Sequence, residues 1–470
     1  MSFPKNINVL AIKLIVRIIR PDQCGESVRK TAVNHLQQSF QECPILSLIS
    51  LVCCLIHWSI SMPIIRKFVL WTACLFISVP LFAAPPADLF SPDNLPPGRT
   101  KDKISSLPPA AQKRALKWLE KFSVPVQDYG VLGIDGDGGI FYIEGKTLAL
   151  PESTAPTPNT SHTVGEVFAL HSNPGAANTI YLDFDGHQIS GTAWNSSAST
   201  YYARPFDRDG SPSTFSQSEI DDIAAIWHRV SEDYSAFDVD VTTEDPGYFG
   251  ANTGRVLITR STDNAGQAMP YSYAGGVAYV GVWGQTNYTY YQPALVYYDN
   301  LGGGAPKFVA EASSHEIGHN LGLSHDGTSS TSYYSGHGSG YTNWAPIMGN
   351  SYNAHVSQWS KGDYEDANNN QDDINIIANK LGLKADDHGD VPATASFLYV
   401  ESSGAVTATT PESDPDNLNP DNKGVVSARY DTDVFEFTSG DGQIDLTVTP
   451  SWAAYTDNTA RGANLDIRAA

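Results

Sequence analysis

The sequence predicts an α/β fold of the mixed, α+β type, followed by an all-β region. After residue 177, strand, helix, strand and strand patterns follow one another without strict alternation, which favours a mixed sheet over a doubly wound one. Beyond residue 390, short β-like runs are separated by turn residues, as is typical of a β-sandwich. A chain of 470 residues is also too long for one compact core, so two or three domains are expected.

Each element of the predicted sheet domain follows from its own pattern. Ser218–Tyr234 carries apolar residues on one helical face, and Ser218 is suited to cap its N-terminus. A second helix is predicted over Pro306–Leu321 and a third around Gln371–Lys380. The strands are predicted in runs rich in β-branched and aromatic residues: NTIYLDFDG, FDVDVTT, RVLITRS, GGVAYVGV and ALVYYDN.

Residues 84–173 are interpreted as a propeptide, because linker-like stretches alternate there with modest structure. Pro108–Phe122 has helical spacing, and YGVLGIDGDGGIFYIEG predicts two strands joined by a Gly/Asp turn. Asp135 and Asp137 in this turn resemble a fragment of a calcium loop. A hairpin turn explains them better, because a third acidic ligand and the terminal Glu are lacking.

The N-terminal region predicts export. Residues 62–83 combine a basic start, an apolar run and small residues at the end, which is the pattern of a secretory signal peptide with cleavage after Ala83. Residues 1–61 are interpreted as a non-native extension from an over-extended gene start. A membrane anchor at the apolar run Pro44–Ile60 is the alternative. We therefore expect a secreted, extracellular protein with no membrane segment in its mature form.

Charge and cysteine placement narrow the function classes. The formal net charge of −22 argues against a nucleic-acid partner. The cysteines all lie near the N-terminus, at Cys24, Cys43, Cys53, Cys54 and Cys74. A metal site further along the chain must therefore use His, Asp or Glu ligands.

The stretch HEIGHNLGLSH predicts a metal centre. Residues four apart share one face of a helix, so His315 and His319 present their imidazoles side by side. Glu316 lies beside that face, where it can take a proton from a metal-bound water. Gly322 can adopt the left-handed conformation that ends the helix, so that His325 approaches from a third direction. Three imidazoles with one open position are the arrangement of catalytic zinc.

This stretch, residues 315–325, resembles the HExxHxxGxxH signature of the metzincin zinc metallopeptidases. APIMG, at Ala345–Gly349, resembles their Met-turn, which would place Met348 beneath the metal. Asp326, directly after His325, resembles the structural Asp of the adamalysin/reprolysin branch, here of the bacterial secreted type. The alternative for Asp326 is a lone exposed acid. Gly322, Asp326 and Met348 are thus expected to give structural support.

The resemblance covers about residues 177–385 and implies a metzincin-type catalytic domain at 174–385, with a mixed twisted sheet and an active-site helix. It also implies that substrate lies antiparallel to an edge strand, for which Gly275–Gly281 is the candidate. Some members have a tyrosine two residues after the Met that approaches the metal. That position here is Asn350, so we expect no tyrosine ligand.

Latency needs a different ligand in this chain. Some metzincin propeptides block the zinc with a cysteine, but residues 84–314 contain none. If the propeptide silences the enzyme, the hypothesis is that Asp135 or Asp137 takes that role.

Residues 386–470 are interpreted as a β-sandwich that the chain includes only in part. The stretch DTDVFEFTSGDGQIDLTVTPS resembles the pre-peptidase C-terminal domain of secreted proteases. The acidic residues of this region could hold Ca²⁺, although solvated loop acids are the favoured interpretation: Asp386, Asp387, Asp431 and Asp433.

Together these patterns predict a secreted, monomeric zinc endopeptidase made as a zymogen, with protein or peptide substrates. The alternative is a non-catalytic adhesin or binding module on a metallopeptidase scaffold. Glu316 argues against it, because a non-catalytic site would not need a base. A purely structural zinc site is disfavoured, because only three ligands are visible in the sequence.

Overall fold

A computed structural model describes residues 91–147, 162–195, 200–340, 343–406, 422–428 and 431–438, with a few short pieces elsewhere. The predicted signal peptide at 62–83 lies outside the described residues, as does the predicted extension at 1–61 apart from two short strands. The chain divides into two compact units, one formed by residues 1–18, 90–437 and 442–470, and the other by residues 19–89 and 438–441. The first unit contains all of the described helices and the large sheet.

The described helices are short to medium in length. They are α1 (Arg99–Ser106), α2 (Pro109–Leu119), α3 (Val164–Val167), α4 (Gln217–Asp233), α5 (Pro306–Leu321) and α6 (Asp373–Leu381). Single 3-10 turns lie at Pro92–Asn94, Val126–Gly130, Ala193–Asn195, Tyr288–Tyr291 and Tyr298–Asn300. Within the described ranges, no helix has both the length and the apolar character needed to cross a membrane.

Strands account for the rest of the regular structure. Those of the large sheet are β3 (Leu132–Ile134), β4 (Ile140–Ile143), β5 (Asn178–Asp183), β8 (Val239–Thr242), β9 (Thr253–Thr259), β10 (Gly276–Tyr279) and β11 (Ala294–Tyr297). The others are β1 (Lys13–Leu14), β2 (Arg17–Ile19), β6 (Gln188–Ile189), β7 (Tyr201–Tyr202), β12 (Trp344–Pro346), β13 (Val356–Gln358), β14 (Ser396–Phe397), β15 (Phe435–Thr438) and β16 (Arg468–Ala469).

The large sheet has seven strands in the order β3-β4-β10-β11-β9-β5-β8. Strands β11, β9, β5 and β8 run parallel, whereas β10 is antiparallel to β11 and to β4. The mixed sheet predicted from the element order is therefore confirmed. The predicted hairpin is also confirmed, because β3 pairs antiparallel with β4.

Strand β10, the predicted edge strand, is not at an edge. It pairs with β11 on one side and with β4 on the other, with Val277 opposite Ile143 and Tyr279 opposite Phe141. An unpaired edge exposes a row of N–H and C=O groups that another strand can satisfy. The β3–β4 hairpin satisfies them here, so the sheet extends two strands further than the sequence predicted.

One hydrophobic core joins the upstream segment, residues 91–147, to the sheet. The Trp118 indole N–H donates a hydrogen bond of 2.9 Å to the carbonyl oxygen of Val280, just after β10. The Phe141 ring packs against Trp194 and Tyr279, with centroids 5.5 and 5.2 Å apart. The core therefore continues across the expected boundary between 173 and 174 without a break.

Helices α4 and α5 pack on the sheet and on each other. The Trp227 indole N–H of α4 donates to the Val241 carbonyl oxygen of β8 at 2.8 Å. The Tyr234 hydroxyl, at the end of α4, donates to the Ser314 carbonyl oxygen of α5 at 3.0 Å. The predicted bounds of α5 are confirmed. The predicted N-cap of α4 is wrong: Ser216 is the cap, because the Glu219 side chain reaches back to its N–H at 2.8 Å and to its hydroxyl at 2.9 Å.

The C-terminal region is described only in part. Strands β14 and β15 pair in parallel, with Ser396 opposite Phe435. The described part of the run GVVSARY, residues 424–428, forms no strand, contrary to expectation, while most of the runs AVTATT and QIDLTVTPS lies outside the described residues. The β-sandwich therefore stays a prediction.

The cap of α4 gives a test of the fold. Replacing Ser216 by Ala removes the hydroxyl that binds Glu219, so we expect the free energy of unfolding to fall by about 1 kcal/mol. Ser218→Ala is the matched control, because Ser218 is exposed inside the first turn, and it should change stability by less than about 0.5 kcal/mol. Denaturant titration of both variants measures the difference. Equal losses of unfolding free energy in the two variants would contradict the assignment of Ser216 as the cap.

Candidate metal centre

Three histidines converge on one point, as the sequence predicted. His315 and His319 lie one turn apart on α5, which ends at Gly322. Gly322 is left-handed with φ of 114°, and its N–H binds the carbonyl oxygens of Gly318 and His319 at 3.1 and 2.9 Å. This turn brings His325 back toward α5, with its ring centroid 5.3 Å from that of His315 and 5.0 Å from that of His319.

Backbone carbonyl groups determine which ring nitrogen of His315 and of His319 is free. His315 Nδ1 lies 2.8 Å from the Ile347 carbonyl oxygen, and His319 Nδ1 lies 2.9 Å from that of Leu323. A carbonyl oxygen only accepts, so each Nδ1 carries the proton and each Nε2 presents its lone pair. Outer hydrogen bonds of this kind orient the imidazoles of metal sites.

The free nitrogens fit a metal ion. Nε2 of His315 and Nε2 of His319 are buried without a hydrogen-bond partner among the described residues. Leaving buried polar atoms unpaired is costly, and an ion held between them would satisfy both. Burial lowers the pKa of His315 to about 3, so its imidazole is neutral, as a metal ligand must be.

A fourth ligand group comes from far upstream. The Glu144 carboxylate lies 2.9 Å from His325 Nε2, 3.4 Å from His319 Nε2 and 3.7 Å from His315 Nε2. One atom from each of the four residues lies within 4.8 Å of all the others, so the group could hold a metal ion. Although burial raises the pKa of Glu144, the neighbouring imidazoles hold it well below its usual value.

Glu144, not Asp135 or Asp137, is the acidic residue that the upstream segment brings to all three histidines. Asp135 Oδ1 accepts from the N–H groups of Asp137 and Gly139 at 2.8 and 2.7 Å, and Asp135 Oδ2 accepts from the Tyr279 hydroxyl at 3.0 Å. Asp137 is exposed at the hairpin turn. Neither therefore reaches the histidines, and the hypothesis that one of them blocks the metal is wrong. Glu144 directly follows β4, the strand after that turn. The residues around it in the sequence form no motif that would indicate a metal ligand.

The rings around the centre also come from separate parts of the chain. The Tyr142 ring stacks on His319 with centroids 4.2 Å apart, and its hydroxyl donates to Asp128 Oδ2 at 2.9 Å. Asp128 Oδ1 lies 3.3 Å from His325 Nδ1, an ion-pair distance. The Tyr333 hydroxyl donates to Glu144 Oε2 at 2.6 Å. The sequence pattern does not predict this tyrosine, whose hydroxyl binds the Glu144 carboxylate.

Glu316 is the second buried carboxylate at the centre. Its relative exposure is 0 %, and neither oxygen has a hydrogen-bond partner in the described part of the chain. Burial, and then the charge of Glu144, raises the pKa of Glu316 well above its usual value. A Cβ on Gly276 of β10 would lie 1.9 Å from a Glu316 carboxylate oxygen, so a larger residue at that position would force the carboxylate to move.

The expected Met-turn packs against α5, while the position of Met348 beneath a metal stays a prediction. Met348 is fully buried, and a Cβ on Gly318 would come within 2.6 Å of its sulfur. Gly349 N–H binds the Pro346 carbonyl oxygen at 3.0 Å and closes the turn. The Ile347 carbonyl that orients His315 belongs to the same turn. Tyr352 is half-buried and packs on Phe308, with centroids 5.3 Å apart.

Asp326 is buried rather than exposed, so the alternative of a lone exposed acid is wrong. Its N–H binds the Met348 carbonyl oxygen at 2.8 Å and its carbonyl oxygen accepts from Tyr334 N–H at 2.7 Å. Burial raises the pKa of its carboxyl to about 8. The residue therefore ties the third histidine to the Met-turn through its backbone.

Two further acidic groups lie close enough together to hold a cation. One consists of Asp207, Asp209 and Glu219, and the other of Asp386, Asp431 and Asp433. The second group contains three of the four C-terminal acids named above as possible Ca²⁺ ligands. The fourth, Asp387, instead accepts a hydrogen bond from the Val425 N–H at 3.1 Å. Calcium in this region stays a prediction.

An α+β domain with a mixed sheet and a buried cluster of three histidines and one glutamate is compatible with a metallopeptidase catalytic domain. Residues 221–326, from α4 to the residue after the third histidine, match a family model described as Metallo-peptidase family M12B Reprolysin-like. This match supports a metzincin-like zinc metallopeptidase. Comparison with curated proteins and with solved structures gave no match.

Removing one histidine at a time tests whether the three imidazoles bind zinc. Replacing His315, His319 or His325 by Ala should lower zinc affinity by more than the roughly 10- to 100-fold that loss of an outer partner costs. His337→Ala is the control, because His337 lies outside the four-residue cluster. Chelator competition, with bound zinc counted by elemental analysis, measures the effect. Unchanged zinc binding in the first three variants would contradict the assignment.

Proposed function

We propose that this chain is a secreted zinc-dependent endopeptidase of the metzincin type. The observation that carries the proposal is Glu316, a fully buried carboxylate without a partner among the described residues, held beside three convergent imidazoles. Burying an unpaired carboxylate is expensive, and a fold keeps such a group where chemistry uses it. Export rests on the signal-peptide pattern at residues 62–83.

Zinc is the ion that suits this donor set. His315, His319 and His325 would hold it through the nitrogens that the backbone carbonyls leave free, or through Nε2 in the case of His325. Zinc with three imidazole ligands supplies a Lewis acid for the peptide carbonyl and acidifies the attacking water.

Glu316 is the general base and then the general acid in the proposed reaction. Its carboxylate takes a proton as the water oxygen bonds to the peptide carbonyl carbon. When the carbon–nitrogen bond breaks, the same group returns the proton to the leaving amine. Because neither oxygen of Glu316 has a hydrogen-bond partner among the described residues, both are available to exchange that proton.

Residues next to the histidines hold the proposed ligands in position. Gly322 provides the turn that sets the third histidine, Met348 packs beneath α5, and Asp326 joins the two through its backbone. Once β4 no longer pairs with β10, an extended peptide would bind along β10, where main-chain hydrogen bonds can align it without regard to sequence. Protein and peptide substrates follow from this mode of binding.

The competing function is a non-catalytic adhesin or binding module on the same scaffold. Such a module needs neither a buried base nor a glycine that makes room for it. Glu316 and Gly276 together therefore favour the enzyme.

The base gives a direct test of the reaction. Glu316→Gln should lower hydrolysis of casein by about 10²- to 10⁴-fold, because the amide cannot take the proton. Zinc content should stay unchanged, because Glu316 is not among the four ligand groups. The assay uses the full chain before and after limited trypsin treatment, with and without a chelator. Glu365→Gln, at an exposed acid, is the control. Bound zinc without cleavage that depends on Glu316 would leave the binding module as the function.

Gly276 gives a second test at the same place. Gly276→Ala places a methyl group against the Glu316 carboxylate and should push that group away from the reacting atoms. We expect kcat to fall by about 100-fold while zinc content is kept, because displacing a catalytic group by about 1 Å can cost that much. Gly136→Ala is the control, because its methyl group would meet no atom within 4 Å. A variant with normal kcat would show that the carboxylate has room to move.

A further inference from the structure

The upstream segment lies where a substrate would bind. Glu144 N–H donates to the Gly276 carbonyl oxygen at 2.9 Å, and Gly275 N–H donates to the Glu144 carbonyl oxygen at 2.9 Å. These bonds continue the antiparallel pairing of β4 with β10. An extended peptide adds to a sheet edge by the same main-chain pairing. While β4 is in place, this side of β10 cannot bind another peptide.

The side chain of Glu144 lies at the position that a catalytic centre keeps open. A catalytic zinc has three protein ligands and a fourth position for water or substrate. Glu144 points into that position, with its oxygens between 2.9 and 3.7 Å from the three Nε2 atoms. A carboxylate oxygen is an ordinary zinc ligand, so an ion bound there would have four protein ligands and no site for water.

We propose, on the basis of the proposed function, that Glu144 is the fourth ligand of the metal and that the segment 91–147 thereby keeps the enzyme latent. The carboxylate takes the place of the attacking water, and β4 takes the place of the substrate. Without a water ligand, Glu316 has no proton to accept. Latency therefore depends on a glutamate at the end of a paired strand, not on a thiolate.

Contacts around Glu144 hold it in this position. The Tyr333 hydroxyl donates to Glu144 Oε2 at 2.6 Å from the loop after the third histidine. On the upstream side, Tyr142 stacks on His319 and Asp128 lies 3.3 Å from His325 Nδ1. The segment thus contacts two ligand histidines besides supplying its own ligand. A carboxylate that reached the centre by chance would not bring these partners with it.

The test replaces zinc by Co²⁺ in the full chain and follows its visible absorption, which reports the number and type of ligands. Glu144→Gln keeps the shape of the side chain and removes its charge. Glu120→Gln is the matched control, because Glu120 is exposed on the same segment. The small metal-binding probe is acetohydroxamate, which needs a free coordination position but not the substrate cleft. Melting curves verify that all chains are folded.

We expect the Co²⁺ spectrum of Glu144→Gln to differ from that of the unchanged chain, and its affinity for acetohydroxamate to rise at least tenfold. The Glu120→Gln chain should match the unchanged one in both respects. Identical spectra and probe affinities for Glu144→Gln and the unchanged chain would overturn the proposal. A chain that binds no Co²⁺ at all would overturn it together with the zinc centre.

The same experiment separates this proposal from the proposed function. If the spectrum and probe affinity change as expected but the protein cleaves no casein even after trypsin has digested the segment 91–147, Glu144 stands as a ligand and the peptidase assignment fails. Tyr333→Phe provides a second variant that keeps the carboxylate and removes only its hydrogen bond. Its probe affinity should rise by less than that of Glu144→Gln but remain above that of the control. No rise in either variant would contradict the role of Glu144.

Discussion

The convergence of the three buried imidazoles is the constraint on which the rest of the structure depends. His315, His319 and His325 are all at most 6 % exposed, so each ring nitrogen needs a partner that the protein or an ion supplies. Backbone carbonyls take Nδ1 of the first two, which directs their Nε2 atoms to one point. The turn at Gly322 adds the third ring at that point.

These demands explain features that otherwise look unrelated. The Met-turn presents the Ile347 carbonyl to His315, and Met348 fills the space left by the missing side chain of Gly318. Strand β10 passes α5 so closely that a side chain at Gly276 would displace the Glu316 carboxylate. The backbone of Asp326 links the third histidine to the Met-turn. Each feature either orients an imidazole or makes room for the Glu316 carboxylate.

Local chemistry made much of this predictable from the sequence. The spacing of His315 and His319 and the glycine that ends their helix are set within one or two turns, so α5 and its ligands follow from the pattern alone. The cap of α4 shows the limit of such reasoning. Ser216 and Ser218 both precede an apolar face, and only the reach of the Glu219 side chain decides between them.

Glu144 could not be predicted in this way, because its role arises from the pairing of β4 with β10, which brings its side chain to His325, 181 residues away in the sequence. The hairpin pattern predicted β3 and β4, but not the edge they would join. Once β4 pairs with β10, the register sets Glu144 opposite Gly276, beside the glutamate that this glycine accommodates. Long-range register, not local propensity, therefore determines the fourth ligand.

The shared core has a consequence for how latency could end. Trp118, Phe141 and Tyr142 of the upstream segment are buried against the sheet and the histidines, so removing the segment exposes large apolar surfaces on both sides. A single cut in the sequence between 148 and 161 would break one covalent link and leave these contacts and the β4–β10 pairing in place. Activation of the proposed enzyme therefore requires the hairpin itself to be destroyed or unfolded, because the ligand and the strand that blocks β10 are parts of one element.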